Sequence, residues 1–154
     1  MEWDDQRFLR RAIAIAQQAR DHGNHPFGAL LVDATQQVII EAENTVVTEQ
    51  DCTGHAETNL MRSASRRLPA EELANCTLYS SAEPCAMCAG AIHWGNVGRL
   101  VYGVGAPRLY ALLGPTPTQI DLSCREVFAR SRQPIEVLGP VLEDEAIMVH
   151  ADFW

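Results

Sequence analysis

The sequence predicts a three-layer α/β/α sandwich around a five-stranded mixed sheet. Two observations carry this. Short apolar runs of strand character alternate with stretches of helical period, in the order α-β-β-α-β-α-β-α-β-α. The first two runs are separated only by a polar turn, as in an antiparallel hairpin, whereas the last two are joined through a helix, which favours a parallel pair.

Asp4 and Asp5 are N-cap candidates, after which Phe8, Ala12, Ile15, Ala16 and Ala19 recur on one helical face and Gly23 closes the helix. "FGALLVD" and "QVIIEA" form the expected hairpin. The next helix runs from about His55 to Leu68, where Pro69 stops it. "CTLYSS" reads as a buried strand, "CAMCAGAIHWG" as a helix closed by Gly95, and "RLVYGV" as another strand. The Gly- and Pro-rich segment that follows reads as a loop. Ile120, Cys124, Val127 and Phe128 then suggest a helix, "PIEVLG" a strand and "LEDEAIMVH" a final, frayed helix. No repeat or linker interrupts residues 1–154, which are expected to form a single domain.

Composition narrows the function classes. Twenty acidic residues against twelve basic ones give a net charge of −8, which disfavours a polyanionic partner. Every basic residue is arginine, so lysine Schiff-base chemistry and a Walker-type phosphate lysine are excluded. Arg62, Arg66 and Arg67 cluster on one helix, where they read as a solvated face. The N-terminus "MEWDDQRFLRR" lacks the apolar core of a secretory signal, and no apolar run approaches a membrane span. A cytoplasmic location is therefore expected, with no membrane or nucleic-acid partner. Five cysteines, an odd number, do not resemble a disulfide framework.

Chemistry concentrates in two places. In "EPCAMC", Cys85 and Cys88 lie one turn apart at a helix start, where the positive end of the helix dipole favours thiolates. Two thiolates at this spacing make half of a tetrahedral zinc site, and His55 can supply a third ligand. Three protein ligands leave one position open, as in a catalytic rather than a structural zinc. Glu57, two residues beyond His55, can lean over that open position and accept a proton. A structural zinc would need a fourth ligand. His93 is the available one, but five positions past Cys88 on a helix it faces away from the pair. A redox pair gives His55 and Glu57 no role, and a zinc-stabilised binding module has no need of Glu57.

"HAE" together with "PCAMC" resembles the zinc-dependent cytidine deaminase superfamily, whose signature is H-x-E followed by P-C-x-x-C. "HPFGALLV", "AENTV" and "SSAEPCAMCAGAIHWG" are similar to segments of small bacterial guanine deaminases, fungal cytosine deaminase and bacterial tRNA adenosine deaminase. The resemblance implies a cytidine deaminase-like fold, one zinc ion per chain held by His55, Cys85 and Cys88, and catalytic Glu57. It implies hydrolytic deamination of a free nucleobase or related amino-heterocycle, with release of ammonia. Guanine is the leading candidate. Cytosine, isoguanine, aminotriazines and tRNA adenosine are the alternatives.

The same resemblance assigns substrate contacts. Asn44 matches a base-binding asparagine, and its amide suits a base edge. Phe27 matches a position that is aromatic in guanine deaminases and aliphatic in the tRNA enzyme. Ala29, Ala56 and Trp94 are expected at the pocket wall, and the backbone N–H of Cys85 is a candidate oxyanion donor. Asp152, Phe153 and Trp154 match the C-terminal aromatic lid of the free-base deaminases. In guanine deaminases that lid is exchanged between subunits, so a homodimer with C-terminal exchange is implied. One departure stands out: "GAPRLYALLGPTPTQID" contains no acid before Asp121, where guanine deaminases carry acidic residues. Cys76 and Cys124 read as core, and Cys52 as a loop residue near the pocket edge.

Overall fold

A computed structural model of the chain describes residues 3–154. Helix α1 (Asp5–Asp21) starts at Asp4, whose carboxylate accepts the N–H of Arg7, and ends at Gly23, which adopts a φ of +92°. Strands β1 (Gly28–Val32) and β2 (Val38–Glu43) form the expected antiparallel hairpin. Two helices follow, the single turn α2 (Val46–Glu49) and the longer α3 (Ala56–Arg67), then another single turn, α4 (Ala70–Leu73). The rest of the chain is β3 (Thr77–Ala82), α5 (Ala86–Trp94), β4 (Arg99–Val104), α6 (Ala106–Leu113), α7 (Cys124–Ala129), β5 (Glu136–Leu138) and α8 (Glu143–Met148).

The sheet is five-stranded and mixed, in the order β2-β1-β3-β4-β5. β1 is antiparallel to both β2 and β3, whereas β3, β4 and β5 run parallel, as their helical crossovers require. Alternation along β1 divides the core into two layers. Ala29 and Leu31 pack with Ala56, Leu60 and Ala64 of α3 and with Ala89 and Ile92 of α5. Leu30 and Val32 face the other way, against Phe8, Leu9, Ala12 and Ile15 of α1. Helices thus cover both faces, and the expected three-layer architecture is present.

Three departures from the sequence reading have identifiable causes. The segment taken as a loop after β4 contains α6. Its Pro107 lies in the first helical turn, where a missing N–H costs nothing, so this proline helps to start a helix rather than to break one. The helix expected from Ile120 begins at Cys124 instead, because Ser123 and Glu126 form a capping box; Ile120 is 60% exposed and outside the helix. The single turns α2 and α4 are too short to leave a periodic signal.

Close packing of α1 on β1 depends on Gly28. A Cβ there would lie 2.5 Å from both the carbonyl oxygen of Ala12 and the amide nitrogen of Ala16, backbone atoms with little freedom to yield. Gly28→Ala is expected to cost about 2 kcal/mol, within the range for overpacking a well-filled core. Urea denaturation of the two proteins checks this; an unchanged midpoint would mean that α1 can move away from the sheet.

Candidate active site

The sheet order brings four connections to one edge. The residue before β1 (Phe27), those after β2 (Asn44) and β3 (Glu83 to Cys85), and the start of α6 after β4 all lie there. In open α/β sheets this edge, beyond the carboxyl ends of the parallel strands, is the usual place for a ligand. It holds a cavity of about 630 Å³ whose lining includes Phe27, Asn44, His55, Glu57 and Cys85.

The three expected ligands come from two helix starts. His55 is the N-cap of α3 and Cys85 the N-cap of α5, both with extended backbone, and neither side chain caps its own helix. Cys85 is therefore one residue outside the helix rather than inside it. Its partner Cys88, three residues on, lies in the first turn, and N-cap and N3 side chains face one another in the same way as in a capping box. The ligand atoms of His55, Cys85 and Cys88 lie within 4.8 Å of one another. Nδ1 of His55 is 3.5 Å from the sulfur of Cys85 and 3.6 Å from that of Cys88. A tetrahedron with ordinary zinc–nitrogen and zinc–sulfur bond lengths has N···S edges of about 3.6 Å, so the donor set fits zinc. Thr58 supports the site from outside, with its hydroxyl 3.2 Å from the sulfur of Cys88.

The electrostatics favour a thiolate at Cys85 and a carboxyl near neutrality at Glu57. Cys85 is pulled down to about 4: the hydrogen bond with Cys88 is the largest influence, burial opposes it, and His55 adds to it. Cys88 is pushed up, first by sharing its proton with Cys85 and then by burial. Glu57, in the first turn of α3, is buried, and burial followed by the nearby Cys85 raises its carboxyl to about 7. A carboxyl poised near neutrality can both take and give a proton.

Among the expected substrate contacts, Asn44 is 1% exposed and its orientation is fixed. Oδ1 accepts the N–H of Val46 at 3.0 Å, which leaves the amide NH2 for the cavity. Phe27 lines the cavity and stands edge-on to His150, with ring centroids 5.2 Å apart. Trp154 lines it too, donating its indole N–H to Nδ1 of the buried His150. This C-terminal segment folds onto the cavity of its own chain. Arg20 donates to the carbonyls of Val149 and Ala151 and lies over the ring of Phe153.

Other expected contacts lie elsewhere. Trp94 ends α5 and is 85% exposed, away from the cavity, because a nine-residue helix turns it to the outer side. Ala29 and Ala56 are fully buried in the core between α3 and the sheet and do not line the cavity. Asp152 is exposed in a left-handed turn, and Phe153 packs under Arg20 rather than facing inward. Cys52 does reach the cavity rim.

Sequence reasoning missed the upper wall. Leu109, Tyr110 and Leu113 of α6, with Thr116, Thr118, Gln119 and Ile120 after it, form this wall of the cavity. Glu83, the first residue of "EPCAMC", fixes this wall. One of its oxygens accepts the N–H of Ala106 and the other that of Cys124, so it anchors the starts of α6 and α7. Its position directly before the Pro-Cys motif was the available signal. His25, in "HPFG", also lines the cavity and was not singled out.

A sheet of this order, with a His-Cys-Cys cluster at two helix starts and a buried glutamate beside it, defines a class of zinc-dependent deaminases. Residues 1–104 match the family described as the cytidine and deoxycytidylate deaminase zinc-binding region, and the chain belongs to that family, whose members are hydrolytic enzymes. Its cofactor is zinc. A probable cytosine deaminase of Schizosaccharomyces pombe is 42% identical over 153 residues, covering 97% of this chain and 92% of the relative. The guanine deaminase of Bacillus subtilis is 42% identical over 96 residues, 62% of this chain and 61% of the relative. A solved tRNA:A34 deaminase superposes with a TM-score of 0.73 at 27% identity, covering 94% of this chain and 99% of the other. No helix among the described residues is long and apolar enough to cross a membrane.

Protein purified without added metal is expected to carry about one zinc per chain, as a three-ligand catalytic site implies. Cys88→Ser should lose most of it, while Glu57→Gln should retain it. Elemental analysis of the three proteins decides. Full zinc in the Cys88 variant would remove that thiolate from the ligand set.

Proposed function

We propose that the chain deaminates a free nucleobase or a closely related small amino-heterocycle by hydrolysis, with cytosine ahead of guanine as substrate. The observation that carries this reading is one cavity lined by His55 and Cys85 of the ligand trio, by the buried Glu57 and by Trp154 of the same chain. A cavity that joins these polar groups to aromatic walls suits a small planar molecule. His55, Cys85 and Cys88 would hold the zinc, which would supply Lewis-acid polarisation of the attacking water. Glu57 takes a proton from the water whose oxygen bonds to the amino-bearing carbon, delivers it to the adjacent ring nitrogen, and then carries that oxygen's remaining proton to the amino group, which leaves as ammonia. Asn44 offers an N–H donor to a base carbonyl, and Phe27 and Trp154 offer ring faces to the base plane. Trp154 also keeps bulk water out while the proton is in transit.

The choice of cytosine over guanine is supported by how much of the cavity each similarity spans. The match to the cytosine deaminase relative covers 97% of this chain, and so takes in both Asn44 and the α6 wall, whereas the 96-residue match to the guanine deaminase covers 62% of it. The acid-free segment before Asp121 points the same way. A second reading, tRNA adenosine deamination, is favoured by the superposition that covers 99% of a tRNA:A34 deaminase. Against it stand the net charge of −8 and the absence of lysine, which leave little attraction for a phosphate backbone. We further propose a cytoplasmic homodimer. Because the lid folds over its own chain's cavity, each subunit would hold a complete site without C-terminal exchange.

An ammonia-release screen over cytosine, guanine, isoguanine, an aminotriazine, nucleosides and a tRNA anticodon stem-loop tests this reading. Release from a free base is expected, with Glu57→Gln at least about 100-fold slower, the low end for loss of a general acid–base group. Turnover confined to the stem-loop, with salt-dependent binding, would overturn the free-base assignment.

Trp154→Ala is expected to raise KM for the base by about 10-fold, the upper range for loss of an aromatic contact, with little change in thermal stability. Steady-state kinetics beside a melting curve separate the two roles. A lowered Tm with normal kinetics would make the tryptophan a tether rather than a lid.

A further inference from the structure

His25 faces the cavity, and the reaction described above gives it no task. Its position is well fixed. The His25 carbonyl accepts the N–H of Phe27 at 2.8 Å, and the Phe27 carbonyl accepts the N–H of Asn44 at 3.1 Å, so His25 and Asn44 belong to one hydrogen-bonded corner of the site. The His25 ring tilts against Trp154 at 5.3 Å and meets the edge of Phe153 at 6.1 Å. Neither ring nitrogen has a hydrogen-bond partner among the described residues. Burial, with repulsion from His55 adding to it, lowers the proton affinity of the imidazole, which favours a neutral ring with one N–H donor and one free acceptor. A half-buried polar ring without a partner, on the wall of a ligand cavity, is placed to meet a ligand.

The chemistry of a base edge identifies what it can meet. When the amino-bearing carbon of cytosine lies at the ligand trio, with Glu57 beside the adjacent ring nitrogen, the opposite edge carries a carbonyl oxygen and a ring N–H. Asn44 turns its oxygen to the N–H of Val46 and its amide NH2 to the cavity, so it suits the carbonyl. The N–H then needs an acceptor, and His25 supplies one. That N–H is also the atom at which a free base differs from its nucleoside, where the sugar replaces the hydrogen.

We propose that His25 is a specificity-determining residue whose unprotonated ring nitrogen accepts the ring N–H of the free base and so selects bases over nucleosides. The proposal rests on the free-base reading above. It applies equally to guanine, whose imidazole N–H is lost in the nucleoside.

The test compares kcat/KM for cytosine and N1-methylcytosine, or for guanine and N9-methylguanine if guanine proves the better substrate. The zinc-loaded full chain is used as wild type, His25→Phe, His25→Leu and His25→Gln. His25→Phe keeps an aromatic ring against Trp154 but has no acceptor, and His25→Leu serves if the Phe variant does not fold. Both should lose about 10-fold on the unmethylated base and less than about 2-fold on the methylated one, so that discrimination collapses. His25→Gln, which restores an acceptor, should recover part of the loss. Equal losses on both substrates would mean that His25 only supports Trp154, and no loss would mean that it does not touch the base; either result overturns the proposal while leaving the free-base reading intact. A wild-type enzyme that releases ammonia from no free base would instead defeat the free-base reading, and this proposal with it.

Discussion

Two helices must begin at the same point on one edge of the sheet, and the rest of the site depends on that convergence. α3 and α5 both pack on one face through small and aliphatic residues, Ala56, Leu60 and Ala64 against Ala89 and Ile92. With the helix bodies fixed, the N-cap residues His55 and Cys85 are brought within hydrogen-bond distance of each other. Helix starts suit this purpose electrically as well as sterically. Their free N–H groups and dipoles favour the ionised form of the thiols and offer hydrogen-bond donors to developing negative charge. Glu57 follows from the same arrangement, since a residue in the first turn of α3 is buried beside the cluster without being a ligand.

The cavity above this floor is built by parts of the chain that lie outside the sheet. α6 has no long-range strand pairing, and carboxylates tie it down instead: Glu83 accepts the N–H of Ala106, and Glu143 accepts that of Gly105. Because Glu83 also holds the start of α7 and lies between β3 and the Pro-Cys motif, the upper wall and the ligand-bearing helix share one anchor. The C-terminal segment is held differently. Arg20 grips two of its carbonyls and the ring of Phe153, while His150 takes the indole N–H of Trp154. Burial lowers His150 to about 4, which keeps the imidazole neutral and able to accept that bond.

The division between a rigid floor and an attached roof suggests how one family serves several amino-substituted bases. The proposed ligands and proton carrier sit on elements locked into the core, and the groups proposed to meet the far side of a base sit on the edge loops, α6 and the chain end. Changes in those outer parts can alter the substrate without disturbing the chemistry. In this chain the outer parts include no free acid in the segment before Asp121, and they do include His25 and the short in-chain lid.

Local sequence determined a large part of this. Periodicity and punctuation were sufficient for α1, the hairpin, α3, β3, α5 and β4, because each is one continuous pattern with its own start and stop signals. His55, Glu57, Cys85 and Cys88 were legible because their spacing already implies a helix start, and a metal site needs those donor types. Asn44, Phe27 and Trp154 were found by resemblance, and all three line the cavity. Only the tertiary structure decided the remainder. Trp94 has the composition of a pocket residue but points outward, and Ala56 belongs to the core, because which way a helix turns its side chains depends on what it packs against. α6 was hidden because a proline reads as a breaker until its place in the first turn is known. Glu83 and His25 escaped notice because their partners are far away in sequence: backbone amides 23 and 41 residues on for one, aromatic rings at the chain end for the other. A side chain whose role is set by contacts between distant segments leaves no periodic trace, since chain folding alone makes those segments neighbours.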